Sequence, residues 1–89
     1  MKQITIVIEH PAGLHLRPLA QWVDTAKKFQ SKITLTRGAR TVDGKSPLMI
    51  LSLGVTQGTE VTVTANGPDE DPAVAALQSL VESNFETAP

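Results

Sequence analysis

The sequence predicts an α+β fold, an open-faced β-sandwich in which three helices cover one face of a four-stranded antiparallel sheet, in the order β-α-β-β-α-β-α. Three observations carry this reading. Four segments repeat apolar residues at every second position, three others at helical spacing. Gly- and Pro-bearing breaks punctuate the chain between them. Each strand has only one apolar face, so the helices must share one side of the sheet.

Residues 2–8 place Ile4, Ile6 and Ile8 on one face and read as a strand. Residues 9–14, with Pro11 and Gly13, read as a loop. From about Leu16 to Gln30 the period becomes helical. Leu19, Val23 and Ala26 form the stripe, Trp22 and Phe29 flank it at the core edge, and Lys27 and Lys28 suit the negative end of the helix dipole. Residues 32–37 alternate around Ile33 and Leu35, and Gly38-Ala39 turns the chain into a short strand, Arg40-Thr41-Val42.

Asp43-Gly44-Lys45 breaks that strand. Ser46 then reads as an N-cap and Pro47 as a first-turn residue of a short apolar helix carrying Leu48, Met49, Ile50, Leu51 and Leu53, ended by Gly54. In residues 59–66, Val61, Val63 and Ala65 face inward while Glu60, Thr62 and Thr64 face out. After the Gly67-Pro68 turn, Asp69, Glu70 and Asp71 suit the positive start of a last helix. Its stripe is Ala73, Ala76, Leu77, Leu80 and Val81, and it extends to about Phe85.

A chain of 89 residues is expected to form a single domain spanning 1–89. A hydrophobic share of 40% with 19% charged residues argues against disorder. No apolar run approaches the roughly 20 residues of a membrane span. Residues 1–5 lack a signal-peptide pattern, and the absence of cysteine excludes disulfides, zinc fingers and thiol catalysis. The expected location is the cytoplasm. With 3% aromatics and a net charge of −1, the footprint of a nucleic-acid binder is missing.

The charge is unevenly divided. All eight basic residues lie in residues 1–45, beside only Glu9, Asp24 and Asp43. Residues 46–89 carry acids alone: Glu60, Asp69, Glu70, Asp71, Glu82 and Glu86. The expectation is a basic face gathered around one site, with Arg37 and Arg40 in the hairpin as exceptions.

That site is Gly13-Leu14-His15-Leu16-Arg17-Pro18, where a Gly-bearing loop enters the first helix. The helix start offers unsatisfied amides and the positive end of the dipole, and Arg17 adds a fork of donors suited to phosphate oxygens. A neutral imidazole is a nucleophile at pH 7. Together they describe a histidine able to carry a phosphoryl group beside a ready-made anion cradle, with no metal or cofactor called for. His10, before Pro11 and without an arginine partner, reads as an ordinary loop residue, and a His10–His15 metal pair lacks a third ligand.

These residues resemble the histidine-containing phosphocarrier (HPr) family of the phosphoenolpyruvate-dependent sugar phosphotransferase system, over essentially the whole chain. The Gly-Leu-His-x-Arg-Pro motif stands at Gly13 to Pro18. Lys-Ser before an apolar helix ending Ser-Leu-Gly stands at Lys45-Ser46 to Ser52-Leu53-Gly54, and a Gly before an acidic helix start at Gly67 to Asp71. The resemblance implies that enzyme I phosphorylates His15 on Nδ1, that Arg17 neutralises the phosphoryl oxygens, and that the group passes to EIIA domains of sugar transporters. It further implies a phosphoprotein regulated at Ser46 by a kinase/phosphorylase, with a transcription regulator as a possible partner in carbon catabolite regulation. Such a carrier forms a covalent intermediate and is not an enzyme by itself. A monomer is expected.

The chain departs from the family pattern at Ala12, Leu16, Pro47 and Met49. Leu16 enlarges the apolar rim, and Pro47 bears on kinase recognition of Ser46. The expected docking surface comprises Leu16, Ala20 and Lys27 on the first helix and Pro47, Leu48 and Leu51 on the second, since an exposed apolar patch marks an interface. Two rival readings are a regulatory binding module on the same fold, and a nucleic-acid binder sharing the β-α-β-β-α-β order. The second would need aromatic side chains on the open sheet face. A nitrogen-related branch of the system is a variant of the main reading.

Overall fold

Strand β1 (Lys2–Ile8), helix α1 (Leu16–Ala26), β2 (Lys32–Arg37), β3 (Arg40–Asp43), α2 (Pro47–Ser52), β4 (Thr59–Asn66) and α3 (Glu70–Glu82) follow one another in a computed structural model that describes residues 1–85. The sheet order is β1-β4-β2-β3, antiparallel throughout. The predicted sandwich is therefore the observed one.

Register explains how one face came to be buried. Ile4, Val63, Leu35 and Val42 stand opposite one another across the four strands and point into the core. The next row, on the open face, is Thr5, Thr62, Thr36 and Thr41. Hydroxyls pair along it, Thr5 with Thr62 at 3.2 Å and Thr36 with Thr41 at 2.8 Å. A one-residue slip would exchange the two rows, which fixes the register strongly. Threonines occupy the place where a base-stacking protein needs aromatics.

The helices lie over the apolar face. Helix α3 packs on β1, β4 and α1; α1 packs on α2, and α2 on β3. Trp22 is fully buried rather than at the core edge, because its indole Nε1 donates to the Gly44 carbonyl at 3.1 Å and needs no water. On α3 the buried stripe includes Val74, while Ala76 is half-exposed. A helix packed on both a sheet and another helix buries a wider arc than one apolar row. The helix also stops at Glu82, since Asn84 and Phe85 adopt left-handed backbone (φ 57° and 61°) that brings Phe85 back into the core.

Helix α1 ends at Ala26, not Gln30. The amides of Lys28 and Phe29 close short turns onto Thr25 and Ala26. Those of Gln30 and Ser31 leave the helix and donate to the two carboxylate oxygens of Asp69, each at 2.9 Å. The Ser31 hydroxyl donates to the same carboxylate. Asp69 thus ties the end of α1 to the start of α3 and does not cap its own helix. These bonds, the Ser31 hydroxyl first, hold its carboxyl below the ordinary carboxylate range. Glu70, in the first turn of α3, is lowered too, chiefly by the Met1 ammonium at 2.8 Å.

The basic residues are distributed among helix ends. Arg37 donates to the carbonyls of Leu53 and Gly54 at 2.7 and 3.0 Å, and Arg40 to the Ser52 carbonyl at 2.7 Å. Both therefore satisfy the orphan acceptors that finish α2. Lys45 Nζ donates to the Phe29 carbonyl beyond the end of α1 at 2.7 Å. No helix among the described residues is long and apolar enough to cross a membrane.

Candidate functional site

The approach to His15 is held by backbone bonds. The Gly13 amide donates to the His10 carbonyl at 2.8 Å, and that of Leu14 to the Val55 carbonyl at 3.1 Å. Leu14 is fully buried and anchors the loop to the segment after α2. Gly13 has φ +62°, and a Cβ there would stand 2.2 Å from the Val55 carbonyl oxygen. Only glycine permits that approach.

His15 is the N-cap of α1, with extended backbone (φ −130°, ψ 164°), and its side chain makes no capping bond to the helix. It is half-buried, and its Nδ1 lies 3.2 Å from the Ala12 carbonyl. The amides of Leu16 and Arg17 meet no acceptor among the described residues, and Pro18 has none to offer. An anion beside His15 therefore meets two free donors at the positive end of the dipole. The Arg17 side chain is exposed and makes no hydrogen bond or ion pair among the described residues, so it is at liberty to swing onto such an anion.

Leu16 has φ 53°, left-handed backbone that costs an L-residue about 1–2 kcal/mol. Its side chain is 82% exposed, so burial of that side chain does not offset the cost.

The bond from Leu14 to Val55 and that from Lys45 to Phe29 show that α1 and α2 run antiparallel. His15 stands at one end of this pair and Ser46 at the other. Ser46 is the N-cap of α2, and its Oγ accepts the Met49 amide at 3.4 Å. On these two helices the side chains of Leu16, Ala20, Pro47, Leu48 and Leu51 are exposed, Leu48 being 78% exposed. Met49 is exposed too, but it lines a groove with Ile33, Thr41, Val42 and Lys45 on the side of β2 and β3.

The expected gathering of basic residues around His15 is not found. Lys27 is exposed at the C-cap of α1, the end remote from His15, and Lys45 is engaged at that same end. Arg17 alone of these cations adjoins the histidine in the chain. The hairpin arginines are exceptions, as expected, and their role as acceptor-satisfying groups at the end of α2 was not read from the sequence.

A family model described as the PTS HPr component phosphorylation site matches residues 2–83. The phosphocarrier protein HPr of Haemophilus influenzae is 42% identical over 80 residues, covering 90% of this chain and 92% of that one. The crystal structure of HPr-C-His from Thermoanaerobacter tengcongensis superposes with a TM-score of 0.96 at 45% identity over the whole of both chains. Crh of Bacillus subtilis, a catabolite-repression protein described as a swapped dimer, gives 0.75 at 34% identity, over 98% of this chain and all of that one. The chain therefore belongs to the HPr phosphocarrier family of the phosphotransferase system.

Proposed function

We propose that this protein accepts a phosphoryl group from phosphorylated enzyme I on His15 and donates it to EIIA domains of sugar transporters, in the cytoplasm. The observation that carries the reading is the N-cap imidazole that forms no cap, set beside the free amides of Leu16 and Arg17. The Nδ1 lone pair attacks phosphorus as the bond to the donor group breaks and the donor takes its electron pair. The phosphoryl oxygens then lie against the helix start, and Arg17 folds over them. A cradle that is open to solvent, with a mobile guanidinium, holds the group without trapping it.

Partners dock on the ridge of Leu16, Ala20, Pro47, Leu48 and Leu51, with Lys27 at its basic end. Ser46, at the far end of the same ridge, regulates docking without touching His15. A phosphate there adds about −1.5 to −2 charge, which repels an acidic partner such as enzyme I. A kinase/phosphorylase and a transcription regulator are the partners this implies. A monomer is the working carrier in this reading.

The test is incubation with phosphoenolpyruvate and enzyme I. An acid-labile adduct is expected on the parent and none on His15→Ala; an adduct that persists in the variant sinks the assignment. The likeness to Crh favours a second reading, a regulatory module acting through Ser46. Under that reading His15→Ala leaves regulation intact and no transfer to EIIA is seen.

A further inference from the structure

Two imidazoles meet on one residue of the loop before α1. His10 Nδ1 accepts the Ala12 amide at 3.0 Å. An atom that accepts an N–H bears a lone pair, so His10 carries its proton on Nε2. Its ring also rests edge-on against Phe85, with centroids 6.0 Å apart and an interplanar angle of 89°. The carbonyl of the same Ala12 lies 3.2 Å from His15 Nδ1. A carbonyl only accepts, so His15 carries its proton on Nδ1 and its lone pair on Nε2. The two histidines are thus set in opposite tautomers through Ala12.

We propose that His10 is a positioning residue for His15: by fixing Ala12, it holds the carbonyl that keeps the resting His15 protonated on Nδ1. The proposal rests on the phosphocarrier reading, in which Nδ1 is the atom phosphorylated. In the resting arrangement that atom has no lone pair to offer. Its proton must first pass to Nε2 through solvent, and the ring must leave Ala12. The N–P bond then forms at Nδ1 while the bond to the donor group breaks, and Nε2 keeps its proton. The bond to Ala12 exists only before phosphorylation. It therefore favours the free carrier over the charged one and makes the phosphohistidine a readier donor.

The experiment compares the parent full chain with His10→Asn and His10→Phe. Asparagine places Oδ1 where the imidazole has Nδ1 and accepts the amide two residues on. Phenylalanine keeps the contact with Phe85 and has no acceptor. His10→Ala is a second acceptor-free variant that adds no bulk. Nitrogen-15 shifts of the His15 ring, at a pH where the imidazole is neutral, report the tautomer with no phosphoryl donor present. The Nδ1–H form should dominate in the parent and in His10→Asn. Its ratio to the Nε2–H form should fall about two- to fivefold in the acceptor-free variants, as expected for loss of one modest hydrogen bond. Phosphoryl exchange with a common phosphorylated donor should shift toward the charged carrier by the same factor. Unchanged His15 shifts in the acceptor-free variants overturn the proposal, as does His10→Asn behaving like them. A tautomer that follows His10 in a chain that takes no phosphoryl group supports the positioning role and rejects the phosphocarrier reading instead.

Discussion

Helices α1 and α2 begin alike and differ in what their first residue does. Both N-caps have extended backbone, and both helices have a proline in the first turn. Ser46 accepts the amide of Met49, the third residue of its helix; His15 accepts nothing from its own. The position of the proline explains the difference. An N-cap side chain takes the amide of the second or third residue. Pro47 is the first residue of α2 and leaves the Met49 amide in place. Pro18 is the third residue of α1 and removes the equivalent donor. One helix start is closed on itself. The other keeps its side chain and two amides available for an external anion.

The largest predicted effect breaks the open start and leaves the closed one intact. Gly13→Ala forces left-handed backbone on a residue with a Cβ and drives that Cβ into the Val55 carbonyl. The combined cost is about 3 kcal/mol or more. Thermal unfolding should show a large fall in Tm, and phosphorylation should slow in whatever fraction remains folded, because His15 is carried on the displaced loop. A variant with parental Tm and parental rate would mean that the Leu14–Val55 anchor does not position the histidine.

The same contrast shows what could be read from the chain alone. The strands were legible because alternation is a local property, and Ile33, Leu35, Val61 and Val63 face inward as their spacing requires. Both helix starts were legible because Ser46-Pro47 and His15 to Pro18 are adjacent residues. What escaped depends on partners far away in sequence. The end of α1 is set by Asp69, 38 residues beyond Ser31. The full burial of Trp22 depends on Gly44, and the work of Arg37 and Arg40 depends on carbonyls at the end of α2. The charge division between the two halves was real, but it supplies helix ends rather than a basic wall around His15.

Helix α3 offers a third start that sharpens the comparison, since Asp69 turns away from its own helix to hold Gln30 and Ser31. The folded state favours its ionised form, so this contribution is present above the unfolded pKa of about 3.9 and is lost as pH falls below it. Glu70 acts in the same direction. Asp69→Asn should lower Tm at pH 7 and flatten its dependence between about pH 4 and 2, the two proteins converging at the acid end. Parallel Tm profiles across that range would show that the Asp69 bonds are no stronger in the ionised form.

The smallest effect tests the closed start directly. Ser46→Ala removes the bond to the Met49 amide, and loss of an N-cap acceptor costs about 0.5–2 kcal/mol. At 3.4 Å the contact is long, so the expected cost is at the low end, a fall in Tm of a few degrees for a chain of this size. Phosphorylation of His15 should be unaffected, because Ser46 sits at the opposite end of the antiparallel pair. His15→Ala should show the reverse for phosphorylation, with the adduct gone, and its Tm should fall no further than that of Ser46→Ala, since its imidazole caps nothing and gives up only the bond to the Ala12 carbonyl. Ser46→Asp restores a capping oxygen and complements the dipole, so it should recover the lost Tm while weakening association with enzyme I. If Ser46→Ala leaves Tm untouched while His15→Ala lowers it, the assignment of structural and chemical roles to the two helix starts is reversed.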